Sequence, residues 1–228
     1  MLIDRASAPY RGAGRFAYYF ARGKLQADPV FQAFLELGLL RDRKHILDLG
    51  CGQGLLTAWL RAAAENYEDG SWPQGWPPPP SSRIRGIELM ARDVERARAA
   101  LGPLCEISQG DIRTAELGVA DAVVILDVLH YMTNEEQLQV LKRVRAALPA
   151  AGLLLLRVGD ADGGLRFRYS QWVDKIVMLL RGHSLVNTYC RSLAQWRGLL
   201  QDCGFEVQAR AMSRGTRFAN VLLIGKTM

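Results

Sequence analysis

The stretch ILDLGCGQG, residues 46–54, limits this chain more than any other. A short apolar run, interrupted by Asp48, breaks into Gly50, Gly52 and Gly54. Glycine weakens a strand and gives up backbone freedom on folding. A tight strand-to-helix turn would explain one glycine, but three at alternate positions after an acid need more. In an open parallel sheet, ligands lie beyond the carboxyl ends of the strands. Glycines after the first strand let a ligand touch the main chain and let the next helix start close by. The stretch therefore reads as a cofactor cradle. The dinucleotide fingerprint G-x-G-x-x-G fails, because Leu55 stands where its last glycine belongs, and no Gly-Lys-Ser/Thr follows as in a phosphate loop. A carboxylate at Asp48 suits a cationic ligand and repels a pyrophosphate.

The rest of the chain supplies a matching frame. Strand-like runs (HILDL, RIRGIEL, LCEISQGD, DAVVILD, GLLLLRV) alternate with helix-like ones (LLTAWLRAAAE, RDVERARAAL, EQLQVLKRVRAAL). Such alternation predicts an α/β fold, a mainly parallel sheet with helices on both faces. Asp28-Pro29 starts a helix, Thr133 with Glu136 makes a capping box, and Ser192 with Gln195 caps LAQWRGLLQDC. FEVQARAM and FANVLLIGKT form a terminal hairpin. Residues 66–82, rich in Pro, Gly and Trp, read as a surface loop. One domain over 1–228 is expected: a helical lid at 1–40, a cofactor-binding core at 45–160, a substrate-lid insertion at 161–191, and a helix with the hairpin at 192–228.

These motifs resemble the class I S-adenosylmethionine-dependent methyltransferases. ILDLGCGQG is close to that family's first motif, with Asp48, Gly50, Cys51, Gly52 and Gly54 in place. RGIELM, QGDIR and LDVLHYM follow in register. The resemblance implies a Rossmann-like seven-stranded sheet with the last strand antiparallel, S-adenosylmethionine as cofactor and S-adenosylhomocysteine (SAH) as product. It implies that Glu88, with Leu89 beside it, grips the ribose hydroxyls. Asp111 would accept the adenine amino group while Ile112 offers its backbone amide, and Leu126 and Asp127 would line the cofactor. A further resemblance, of PYRGAGRFAYYFARGKLQADPVF and the Trp/Pro loop, is to methyltransferases that accompany bacterial aryl-polyene pigment pathways. It implies a hydroxyphenyl acceptor on a carrier-bound acyl chain, with an acidic acyl carrier protein as partner.

Methyl transfer is an in-line displacement at carbon, so the protein mainly aligns the nucleophile and excludes water. A phenol acceptor, with a pKa of about 10, benefits from a base. His130 leads the candidates, followed by His183, with Tyr131 and Asp127 also in reach; a histidine packed between helix and sheet is the competing reading. LDVLH is not Asn/Asp-Pro-Pro-Tyr/Phe, which disfavours adenine or glutamine amides. Aromatic residues mixed with arginine, among them Tyr10, Tyr18, Tyr19 and Trp172, predict a small aromatic or hydrophobic substrate, with Tyr131 a further substrate candidate. Packed amphipathic helices would account for them equally.

Composition excludes several classes. The net charge of +6 comes without a block of basic residues and without an RNA-binding module, so nucleic acid is not the expected partner. The three histidines and four scattered cysteines share no metal-ligand spacing. With no apolar run that could span a bilayer and no signal core, a cytoplasmic protein with free thiols is expected. An RNA methyltransferase and a nicotinamide-dependent oxidoreductase on a Rossmann sheet remain the alternatives.

Overall fold

Apolar runs become strands wherever they can be buried on both faces, and amphipathic runs become the helices that cover them. The computed structural model describes residues 1–103, 105–159, 188–212 and 220–228. Its strands are β1 (His45–Leu49), β2 (Arg83–Glu88), β3 (Glu106–Gln109), β4 (Ala122–Leu126), β5 (Leu153–Gly159), β6 (Phe205–Ala211) and β7 (Asn220–Thr227). They form one seven-stranded sheet in the order β3-β2-β1-β4-β5-β7-β6. The first three pair in parallel, and β7 runs antiparallel to both β5 and β6. This is the Rossmann-like sheet with a reversed last strand. The insertion at 161–191 lies outside the described residues up to position 187, and so do His183, Trp172 and the turn between β6 and β7.

The chain divides into two compact units, Met1–Val124 and Ile125–Met228, with the boundary inside β4. In the first, α1 (Leu2–Ser7), a 3-10 turn (Ala8–Arg11), α2 (Arg15–Ala27) and α3 (Pro29–Glu36) precede β1. Asp28 caps α3 by accepting from the Val30 amide, with Pro29 in the first turn. α4 (Leu55–Glu68) follows the glycine loop and α5 (Ala91–Leu101) follows β2. α4 runs into the segment expected to be loop, because Asn66 continues its buried face after Ala62 and Ala63.

The first forty residues carry a buried apolar face of their own. Ala17, Ala21, Leu25, Val30, Phe31 and Phe34 are buried. The Trp59 indole on α4 donates to the Phe31 carbonyl at 2.7 Å, and the two rings meet edge to face. In the second unit, α6 (Asn134–Ala147) starts at the Thr133–Glu136 capping box and α7 (Leu193–Asp202) at the Ser192–Gln195 box. Trp196, Leu200, Phe205, Val140 and Leu222 are among its buried residues, and β5 is buried almost end to end.

If Trp59 fastens α3 to α4, Trp59→Phe keeps the ring packing but leaves the buried Phe31 carbonyl without its donor. Urea unfolding should show a loss of about 1–3 kcal/mol. An unchanged midpoint would mean water replaces the indole at no cost.

Candidate functional site: an acid and glycine cradle

β1 ends in three glycines with left-handed φ: Gly50 at 72°, Gly52 at 54° and Gly54 at 75°. These angles are ones that side-chain-bearing residues rarely adopt. The loop folds back onto β2, where the Gly50 and Cys51 amides donate to the Ile87 carbonyl at 2.8 and 3.3 Å. Gly86 makes that approach possible, since a Cβ there would lie 2.6 Å from the Cys51 Sγ. Cys51 is buried in this contact, and burial raises its thiol pKa well above the ordinary value. It fills space and is not poised to react.

Two carboxylates stand behind the loop. Glu88, at the end of β2, accepts from the Gly52 amide at 2.8 Å through one oxygen and from the Met90 amide at 2.9 Å through the other. A carboxylate has about four lone-pair sites, so capacity remains for two hydroxyls. Asp48 is 4 % exposed, and its pKa is pushed up to about 7, first by burial and then by the charge of Glu88. A site that crowds two acids out of water is complementary to a cation.

Tyr10 and Gln53 brace the loop from the other side. Tyr10 is fully buried and donates to the Gln53 carbonyl at 2.8 Å. It therefore supports the glycine loop and does not face a substrate, against the expectation drawn from its aromatic neighbours. The Gln53 side chain, 1 % exposed, donates to Asp93 at 3.3 Å. Its Oε1 makes no hydrogen bond among the described residues, so acceptor capacity is left there. The space beside Gly52 is open: a Cβ there would meet nothing within 4 Å. An open cradle, a free buried acceptor and paired acids fit a cationic nucleoside.

The remaining sequence candidates of this unit differ in exposure. Asp111 follows β3 and is clamped by Arg113, whose Nη2 reaches it at 2.6 Å and whose amide donates to it at 2.9 Å. Ile112 is buried, while Leu89 is 55 % exposed beside Glu88. Tyr19 is exposed on α2 and Tyr18 is half-buried.

In the second unit, Asp127 follows the half-buried Leu126 at the end of β4, in left-handed backbone with φ 58°. Its carboxylate binds Arg157 of β5 through both oxygens, with Nε at 2.8 Å. Sequence reasoning missed Arg157, although a charge inside the run LLLLRV is a signal, because a buried arginine requires a partner. Strained backbone of this kind at a strand end is a mark of functional sites. His130 and Tyr131 sit in the 3-10 turn Leu129–Tyr131, their ring centroids 4.0 Å apart. Burial lowers the His130 pKa, partly opposed by Asp127, so its imidazole is neutral near pH 7.

Comparison with known proteins agrees with this geometry. A family described as methyltransferase domain matches residues 19–210. The chain belongs to that family. Its methyl donor is S-adenosylmethionine, and the nicotinamide alternative falls away. The chain is 32% identical over 130 residues to carboxy-S-adenosyl-L-methionine synthase of Chromohalobacter salexigens, a match covering 53% of this chain and 43% of that protein. It thus spans less than half the length of this curated relative. Two solved structures share the fold. One is an O-methyltransferase family protein from Burkholderia thailandensis, with TM-score 0.65, 20% identity, and coverage of 95% of this chain and 61% of that one. The other is magnesium protoporphyrin IX methyltransferase from Synechocystis PCC 6803 with bound SAH, with TM-score 0.60, 19% identity, and coverage of 97% and 94%. No metal-binding cluster occurs among the described residues, and no helix among them is long and apolar enough to cross a membrane.

Gly52 and Gly54 should separate binding from folding. Gly54→Ala adds left-handed strain and pushes a Cβ to within 2.7 Å of Ile107, so its melting temperature should fall clearly. Gly52→Ala adds only the strain, about 1–2 kcal/mol, but fills the cradle, so calorimetry should show SAH affinity falling more than stability. Equal losses of affinity and stability in both variants would contradict the cradle.

Asp48 gives a pH signature. Unfolded, it titrates near 3.8 and folded near 7, so the native state holds the extra proton between those values. Its contribution is fully present below about pH 4 and lost as pH rises through 7. The melting temperature, measured as the difference between the native protein and Asp48→Asn, should decline over that window. The affinity ratio of cationic S-adenosylmethionine to neutral SAH should rise over the same window in the native protein and stay flat in the variant.

Proposed function

We propose that this chain methylates a hydroxyl group on a small aromatic or hydrophobic molecule, including a hydroxyphenyl acceptor borne on an acyl carrier protein. The observation that carries the proposal is the buried Asp48 carboxylate behind a glycine loop pinned by Glu88. When bound, S-adenosylmethionine supplies an electrophilic methyl group on a sulfonium. Asp48 would balance positive charge, Glu88 would hold the ribose hydroxyls and Asp111 the adenine amino group. His130 would take the proton of the acceptor hydroxyl, and its neutral imidazole suits that task. Tyr18 and Tyr19 would line the acceptor; the exposed Phe16 and Tyr19 on α2 support an aromatic one. The net positive charge supports an acidic carrier.

The curated relative favours a second reading. Its name says that it makes carboxy-S-adenosyl-L-methionine, so the substrate of this chain could be the cofactor itself. Native mass spectrometry of the purified protein separates the readings, because a carboxylated nucleoside has its own mass. An RNA acceptor would instead show steep salt dependence of RNA binding.

The direct test is transfer of a labelled methyl group to 4-hydroxycinnamate and related phenols. SAH should raise the melting temperature and NAD should not. Glu88→Ala should weaken SAH binding by more than about tenfold. His130→Gln keeps shape and polarity but cannot accept the proton, so turnover should fall by roughly 10²–10⁴ with SAH affinity nearly intact. Near-normal turnover would remove His130 from the mechanism.

A further inference from the structure

Gln137, on the first turns of α6, is fully buried and bonded at both ends of its amide. Its Nε2 donates to the Leu129 carbonyl at 3.1 Å, the Met132 carbonyl at 3.1 Å and the Tyr189 carbonyl at 2.9 Å. An amide group has two hydrogens, so three acceptors share two donors. Its Oε1 accepts from Arg191 Nε at 2.7 Å, which fixes which end of the amide faces the carbonyls. Arg191 is itself held, with Nη2 donating to the Asn134 carbonyl at 3.1 Å.

Leu129 and Met132 bracket the turn that carries His130. Satisfying two turn carbonyls would be a local matter, common for a buried glutamine. The third carbonyl is not local, because Tyr189 lies 52 residues along the chain. The Tyr189 amide also returns to the His130 carbonyl at 2.8 Å. The main chain of His130 is thus gripped directly by Tyr189, and its flanks by Gln137, which binds Tyr189 as well. Buried networks in which each member is satisfied fix one conformation. Here the conformation that is fixed is that of the main chain that carries one imidazole.

We propose that Gln137 is a positioning residue for the methyl-transfer reaction: it sets the His130 turn by binding main-chain carbonyls on both sides of it and on Tyr189. This rests on the reading of His130 as the base. The inference itself concerns how that base is held, since a small misplacement of a reacting group can cost on the order of 10²-fold in rate.

Gln137→Glu keeps the shape and the Arg191 contact but points an oxygen at three carbonyls. Arg191→Met keeps Gln137 but frees its Oε1, so the amide can turn. The chain has only three histidines, so the His130 ring can be followed by NMR in the SAH-saturated protein. In both variants the His130 ring resonances should move and their titration midpoint should rise toward the ordinary histidine value, as the opened turn admits water. Turnover of 4-hydroxycinnamate should fall about tenfold or more in kcat with little change in KM, and the SAH dissociation constant should stay within about twofold. If Gln137→Glu does not fold, Arg191→Met decides. Unmoved His130 resonances in a folded variant that binds SAH would overturn the inference, as would unchanged kcat. A native protein that binds no SAH would overturn the functional reading instead.

Discussion

The cofactor half of this protein depends on a carboxylate kept out of water. Asp48 sits within β1, beneath a loop that closes onto the end of β2, and a second acid lies near it. Burying such a charge is costly, and at Asp48 the cost is felt as a raised pKa. The backbone answers with amides from Gly52 and Met90 on Glu88. The Gly52 amide is available because the loop adopts left-handed turns that only glycines take easily. Sequence, loop shape and charge are one device: the glycines shape the loop, the loop supplies a donor to Glu88, and the pair of acids creates a demand for positive charge.

The N-terminal helices serve that device from behind. Tyr10 is pushed well above the ordinary tyrosine pKa by burial, so it is a permanent donor to the Gln53 carbonyl. Arg96 binds Asp93 at 3.0 Å and stacks over the Phe16 ring, which ties α2 to α5. Tyr10 in this segment therefore buttresses the glycine loop, and Tyr19 on its outer face is exposed.

The second unit uses a different balance. Arg157 is fully buried and would be costly alone, but it meets Asp127 with two parallel bonds, a geometry that suits guanidinium and carboxylate. The strained backbone at Asp127 is held by that pair and by the bond of its amide to the Arg157 carbonyl at 3.4 Å. Just after it, the His130 turn is fixed by Gln137 and Tyr189. An anchored acid and an anchored main-chain turn at His130 thus stand three residues apart.

How much of this was legible in the sequence depends on the range of each interaction. The glycine spacing, the two capping boxes, the alternation of strands and helices and the acids at strand ends are local patterns, and local sterics and hydrogen bonding fix their meaning. They determined the sheet, the family and the cradle. Pairings across the chain were hidden, because periodicity does not record which side chain meets which. The burial of Tyr10 against Gln53, the partner of Arg157 and the hold of Gln137 on Tyr189 all join distant residues through tertiary contact. An aromatic residue reads the same in sequence whether it faces a substrate or a carbonyl, and only folding assigns it to one of them.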